Sequence, residues 1–385
     1  MNLHIFNPEH DLSLASRLPL FTPPHAARQL RYDLGFLPAL WADAGDVVLV
    51  DDVEMAHRGY DYFLGCCRRR LGVSPQRHSS VADDSAKDSP RFCTERELRH
   101  LHISHIEPWG WDAPLSNRLV RCGVSAEALP SLDQLFATSI LSHRRTSSVL
   151  LSRLQGDGMV GWAVECSTEM ELNQALRDAF EQSLDWWPEG RAVIKAPWSS
   201  SGRGVRFVTP DIKEQTVGWL RNLLERQGSV MVEPCYNKVC DFGMEFRSDG
   251  HGTVEYEGLS LFHTSNGAYT GNLLATETAK RLRLARYVPL QRLMDVRQRI
   301  CELAAEVFAD QYEGPFGVDM MVVAPPADSP GDTHFLMHPC VELNLRRTMG
   351  HVALALSPED DELVRVMRIV PPPDHYKLTI EKTLK

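Results

Sequence analysis

Residues 191–205, RAVIKAPWSSSGRGV, constrain this chain more than any other stretch. A short apolar run, Ala192, Val193 and Ile194, delivers Lys195; a loop of small residues follows, and a second strand-like run starts at Val205. Strand, lysine, small-residue loop and strand can fold a lid of backbone N–H groups over a polyphosphate. The lysine supplies a point charge, and the glycines permit close backbone approach. A Ser/Gly-rich hairpin turn without a ligand has the same local pattern, so the loop needs support from elsewhere in the chain.

At 385 residues the chain can bury a large core spread over two or three domains or subdomains. The net charge of −10, with no basic tail or stripe, argues against a general nucleic-acid binder but leaves room for an anionic ligand in a locally basic cleft. The nine cysteines are odd in number and scattered without a C-x-x-C pair, which reads as buried thiols in a reducing compartment. Residues 1–20 have no apolar signal core, and no run of roughly 18 apolar residues occurs. The expectation is a cytoplasmic protein with neither membrane nor nucleic acid as a partner; a homodimer is left open.

Residues 3–6 and 47–50 read as strands flanking a helical segment, a small α/β layer. Ligands of open α/β sheets bind beyond the carboxyl ends of strands, which makes Asn7, Glu9, His10 and Asp11 candidate substrate residues. A turn with a helix N-cap at Asp11 is the alternative. Residues 76–90 read as a polar surface loop. His100, His102 and His105 read as solvent-facing strand histidines beside a packed pair of indoles, Trp109 and Trp111. One helix is expected over 131–154, carrying Arg144 and Arg145, and Thr168-Glu169-Met170-Glu171 is a capping box opening another. Helices over 211–227, stopped by Gly228, and over 290–308 follow from their apolar spacing.

The second constellation lies far downstream. Asp319 interrupts the otherwise apolar run Val318, Met320, Met321, Val322 and Val323. Glu342 and Asn344 are two apart on another strand, so they point to one face. If the two strands pair, two carboxylates and an amide converge, a hard-oxygen set suited to Mg²⁺ with Mn²⁺ as the variant.

In this order, strand–Lys195–small-residue loop–strand, helix, V-E-P at a hinge, G-V-D-M-M and V-E-L-N-L-R-R, the motifs resemble the ATP-grasp superfamily, of the carboxylate–amine/thiol ligase kind. The resemblance implies an α/β (α+β) fold in which two α+β subdomains grip ATP, preceded by an N-terminal α/β domain. Mapped onto the chain, it gives an N-terminal domain over 1–135, the grasp over 136–371 (about 136–235 and about 236–371, the second carrying the metal site), and a C-terminal tail over 372–385. It also implies roles. Lys195 and Arg144 would meet the phosphates, and Ser199, Ser200, Ser201, Gly202 and Gly204 would form the lid. Glu233, Pro234, Cys235 and Tyr236 would be the hinge at adenine, and Asp241 would hold the ribose. Asp319, Glu342 and Asn344 would bind the metal, and Arg346 would hold a carboxylate or acyl-phosphate oxygen. His263 stands where some relatives carry a phosphate-contacting lysine. Two positions depart from the family pattern: arginine replaces the upstream lysine, and Pro339 sits within a strand, where it predicts an edge or bulge.

The activity implied is an ATP- and Mg²⁺-dependent ligase that activates a small-molecule carboxylate as an acyl phosphate and joins it to an amine. A kinase on the same fold and a non-catalytic nucleotide-binding protein are the alternatives.

Overall fold

Short apolar runs separated by Pro, Gly and helical stretches become three separate sheets. The computed structural model describes residues 1–71, 90–199, 204–265, 268–326, 334–371 and 375–382. Positions 76–89 of the expected surface loop, and Ser200, Ser201 and Gly202, lie outside the described residues.

The N-terminal sheet contains β1 (Asn2–Ile5), β2 (Val47–Leu49), β3 (Arg91–Cys93) and β4 (His105–Pro108), all parallel, in the order β3-β2-β1-β4. Its helices are α1 (His10–Ser16), α2 (His25–Leu34), α3 (Val53–Leu71), α4 (Glu95–Leu98) and α5 (Ala113–Arg121). Parallel strands need crossover connections, and α3 and the helices beside it supply them. Trp109 and Trp111 do not form the expected indole pair. Trp109 packs edge-on against Phe6 at 5.0 Å, and Trp111 packs into a different apolar cluster.

The expected long helix over 131–154 is two: α6 (Leu132–Leu141) and α7 (Arg144–Arg153). Ser142 ends the first, and His143 caps the second by accepting the Arg145 N–H on its ring. The second sheet is antiparallel, ordered β5-β8-β6-β7. It comprises β5 (Val164–Cys166), α8 (Glu169–Ser183), β6 (Ala192–Lys195), β7 (Val205–Val208), α9 (Glu214–Gln227) and β8 (Val230–Pro234). The Thr168 capping box opens α8, whose Leu172, Ala175, Leu176 and Ala179 are buried on the sheet.

The third sheet has seven antiparallel strands: β9 (Lys238–Asp249), β10 (Val254–Ser265), β11 (Ala268–Leu274), β12 (Glu313–Val323), β13 (Leu336–Asn344), β14 (Arg365–Val370) and β15 (Lys377–Lys382). Their order is β13-β12-β9-β10-β11-β14-β15. Helices α10 (Glu277–Leu284), α11 (Leu290–Phe308) and α12 (Met349–Ala355) pack on this sheet. Val318, Met320 and Val322 face the core under α11, leaving Asp319 and Met321 for the opposite face. β13 is an edge strand, and its ladder with β12 shifts register between Asp319 and Met321, opposite the span that contains Pro339. Both features expected of that proline occur together.

The tail expected over 372–385 contains β15, a full ladder partner of β14. Its Leu378 and Ile380 are buried in one cluster with Phe6, Phe63 and Phe92, so the C-terminal strand closes the N-terminal unit's core. All nine cysteines are free thiols. Among the described residues no helix is long and apolar enough to cross a membrane.

Candidate active site

Lys195 ends β6 with its side chain buried between two sheets. Its Nζ lies 2.7 Å from Glu233 Oε2 on β8 and donates to the Val341 carbonyl of β13 at 3.2 Å. The helix break at Ser142 and His143 makes Arg144 the first residue of α7. From there its guanidinium donates to the Ala196 carbonyl (2.5 Å), Ser199 Oγ (2.8 Å) and Glu342 Oε1 (2.6 Å). One side chain thereby clasps the loop after β6 to the edge of the seven-stranded sheet. Arg145 is more exposed and lies 3.6 Å from Glu165.

Asp319 and Glu342 are direct cross-strand partners, and Asn344 faces Gly317 two pairs further on. Burial, and then the Glu342 charge, push the Asp319 carboxyl up to about 7. Asn344 Nδ2 donates to Asp319 Oδ2 at 3.1 Å. Glu342 is held by Arg144, so Asp319 is the under-compensated carboxylate of the pair, and a hard divalent cation would relieve it. Among the described residues no group of three or more His, Cys, Asp and Glu side chains is placed to hold a metal ion.

Arg346 already grips a carboxylate, and it is the protein's own. Its Nε donates to Asp11 Oδ1 and Oδ2 at 3.0 and 3.1 Å, its Nη2 to Asp11 Oδ2 at 2.9 Å and to Asn344 Oδ1 at 2.9 Å. Burial, the largest single influence, would raise the Asp11 carboxyl; the Arg346 charge and hydrogen bonds, with His10 and Arg144 nearby, together outweigh it and hold the group below the usual range. Asp11, Arg144, Ser199, Asp319, Glu342, Asn344 and Arg346 all line one cleft cavity of about 250 Å³.

The other three N-terminal candidates lie elsewhere. Asn7 Nδ2 donates to the Gly110 carbonyl (2.8 Å) and Asp112 Oδ2 (3.2 Å), and His10 Nδ1 lies 3.3 Å from the same oxygen. Both are buried pins between β1 and the 110–112 turn. Glu9 is the N-cap position of α1, so the helix starts one residue before Asp11 and not with Asp11 as its cap. Its carboxylate pairs with Arg31, away from the cleft.

At the hinge, the Glu233 side chain is taken by Lys195, and the Cys235 N–H donates to the Arg191 carbonyl at 3.0 Å. Pro234 ends β8 opposite Ala192. The Tyr236 ring stands edge-on to Trp186 and to His338, with centroids 5.1 and 5.7 Å away. Asp241 accepts from Lys238 Nζ (2.5 Å) and Thr264 Oγ1 (2.6 Å). Gly204 opens β7, its carbonyl accepting the Ala196 N–H at 2.7 Å. His263 does not line the cleft. Side chains alternate along β10, so His263 is exposed while Phe262 and Thr264 face the cavity.

Among the cleft residues that sequence reasoning missed are Glu245, Tyr269, Asn272 and Thr348. Glu245, 2 % exposed on β9, accepts from Thr348 Oγ1 at 2.8 Å. Burial and the nearby Asp319 push its carboxyl up to about 8. Tyr269 donates to Asn272 Oδ1 (2.5 Å), and Asn272 Nδ2 donates to Ser260 Oγ (2.8 Å). A signal for Glu245 was present: in F-G-M-E-F a carboxylate interrupts an apolar strand just as Asp319 does.

No family model and no curated protein matches the chain. Among solved structures, it resembles N5-carboxyaminoimidazole synthetase from Staphylococcus aureus complexed with ADP at TM-score 0.44 and 12 % identity, over 96 % of this chain and 82 % of that one. It resembles the biotin carboxylase domain of Hydrogenobacter thermophilus 2-oxoglutarate carboxylase at TM-score 0.46 and 14 % identity, over 85 % and 74 %. A putative ATP-grasp superfamily protein from Archaeoglobus fulgidus aligns at TM-score 0.39 and 12 % identity, over 77 % and 82 %. These are distant likenesses of overall shape. The site rests on the chain's own geometry: Arg144 joins the loop after the lysine strand to Glu342, and the two carboxylate strands pair at the edge of the seven-stranded antiparallel sheet.

Proposed function

We propose that the protein is an ATP-dependent ligase that activates a carboxylate as an acyl phosphate and couples it to an amine. The observation that carries this reading is the Arg144 clasp, which brings the loop after Lys195 and the Asp319–Glu342–Asn344 patch into one cleft. In this reading Lys195 and Arg144 neutralise the polyphosphate, and the backbone from Glu233 to Tyr236 lies along the base. Asp319, Glu342 and Asn344 are the residues that would hold magnesium, which supplies charge neutralisation for the phosphates when bound.

A substrate carboxylate oxygen attacks the γ-phosphorus, the bond to the β–γ bridging oxygen breaks, and ADP leaves. The amine nitrogen then attacks the acyl carbon, phosphate departs, and the amine proton is released. The chain's contribution is positioning and electrostatic preorganisation. Arg346 is suited to orient the substrate carboxylate, provided that Asp11 yields its place.

An ADP-release screen over pooled carboxylates and amines, with mass spectrometry of products, tests the proposal. ADP formation that requires both a carboxylate and an amine is expected, with Lys195→Ala lowering it about a hundredfold or more. Glu342→Gln and Asn344→Ala should act mainly on turnover. A stable phosphorylated product with no amine requirement would instead identify a kinase, and silence of a folded protein toward every pool would sink the ligase reading.

A further inference from the structure

The cleft has a second end, whose lining differs from the metal patch. Asp319, Glu342 and Asn344 sit on β12 and β13, at one edge of the seven-stranded sheet. Toward β10 and β14 the lining turns apolar, with Pro8, Leu30, Phe262, Met349 and Ile369. All five are half-buried, so each still offers carbon surface to the cavity. Leu30, Met349 and Ile369 come from α2, α12 and β14, and all three pack on one hydrophobic cluster, the core of the N-terminal unit. The flank of that core thus forms one wall of the cleft. Apolar surface left open in a concave site anchors the non-reacting part of a ligand.

The wall also has a length. From Phe262 on β10 to Ile369 on β14 is two strand spacings, roughly 10 Å. A ligand that covers it is an extended chain, not a compact acid.

Charge narrows the ligand further. Among the described lining residues the only cations are Arg144 and Arg346, against the carboxylates of Asp11, Glu245, Asp319 and Glu342. Arg144 is committed to Ser199, the Ala196 carbonyl and Glu342. That leaves Arg346, paired with Asp11, and the apolar wall begins beside this pair: Pro8 lies three residues before Asp11, and Met349 three after Arg346. A carboxylate that exchanges with Asp11 on the Arg346 fork replaces one anion by one. A second anionic group would meet the remaining acids with no cation to offset them.

We propose that the carboxylate substrate is a monoanion with an extended apolar body, its carboxylate on Arg346 and its body along Leu30, Met349 and Ile369. That such a carboxylate is a substrate rests on the ligase reading; that it binds here does not, so binding is measured without nucleotide.

Calorimetric titration of the full chain with acetate, butyrate, hexanoate and octanoate should show affinity rising along the series. Octanoate should bind at least tenfold tighter than acetate. Suberate, which is octanoate with a second carboxylate at its far end, should bind at least tenfold more weakly than octanoate. Met349→Gln and Ile369→Thr keep the size of half-buried side chains, and each should weaken octanoate about threefold or more while leaving acetate unchanged. No binding of octanoate, equal binding of octanoate and suberate, or variants that bind octanoate as wild type does would overturn the proposal. In the ADP-release screen, turnover confined to dianionic or phosphorylated acids would overturn it and leave the ligase in place. Selective octanoate binding with no ADP from any pool would keep the apolar carboxylate site and sink the ligase.

Discussion

At the scale of single residues, the cleft stores charge in pairs that a ligand must rearrange. Lys195 rests on Glu233, Arg144 on Glu342 and Arg346 on Asp11, so each of these cations is already paired within the protein. Two acids lack such relief. Asp319 is pushed up to about 7 and Glu245 up to about 8, in both cases by burial first and a neighbouring carboxylate second. For an acid with a raised folded value, the native state holds a proton that the unfolded chain has lost. Stability from this source is therefore full below the unfolded value of 4.5 for Glu245 and declines as pH rises toward about 8. The metal- and nucleotide-free protein should unfold at lower urea concentration at about pH 8 than at about pH 5. Glu245→Gln should flatten that slope by up to about 1.4 kcal/mol per pH unit, Asp319 supplying what remains. An unchanged slope in the variant would mean that Glu245 is ionised in the native state.

At the scale of elements, Glu245 dictates how α12 and β12 approach β9. A methyl at Gly350 would overlap Glu245 Oε1, and one at Gly317 would lie 2.6 Å from Oε2. Gly350→Ala should cost about 1–3 kcal/mol through overpacking, lowering the melting temperature. Combined with Glu245→Ala the loss should be less than additive, because the second change removes the group that clashes. Much at this scale was legible. The Thr168 capping box, the α11 stripe and the Gly228 stop of α9 follow from local chemistry that tertiary context reinforces. Pro339 marked its own edge strand because a missing N–H allows few positions in a sheet. The break that creates α7 was not legible, since Ser142 and His143 sit inside a continuous helical pattern and no Gly or Pro marks the stop. Nor was His263's exclusion, because in a strand one residue decides which face a side chain takes and only the tertiary packing shows which face is the cleft.

At the scale of the whole molecule, the question is what holds the N-terminal unit against the seven-stranded sheet. β15 answers part of it by burying Leu378 and Ile380 in the N-terminal core, a long-range pairing that no local pattern announces. The polar part is the seam from Asp11 to Arg346 and from Glu107 to Arg347, the latter at 3.3 Å with the Arg347 N–H also donating to the Trp109 carbonyl. Asp11 and Arg346 are each less than a fifth exposed, so removing one partner strands the other in a poorly solvated place. Asp11→Ala and Arg346→Ala should each cost about 3 kcal/mol. The double variant should cost clearly less than their sum, with a coupling of about 1–3 kcal/mol in a denaturant-based cycle. The pH dependence gives an independent check. Asp11 is held below its ordinary 3.8, so the seam's contribution is present above that value and fades as pH falls through the lower, folded value. Wild type should thus lose more stability in that acid range than Asp11→Ala does, the other depressed carboxylates being common to both. Additive single and double variants would mean that the two units are joined by their shared apolar core alone, with the ion pair belonging only to the cleft.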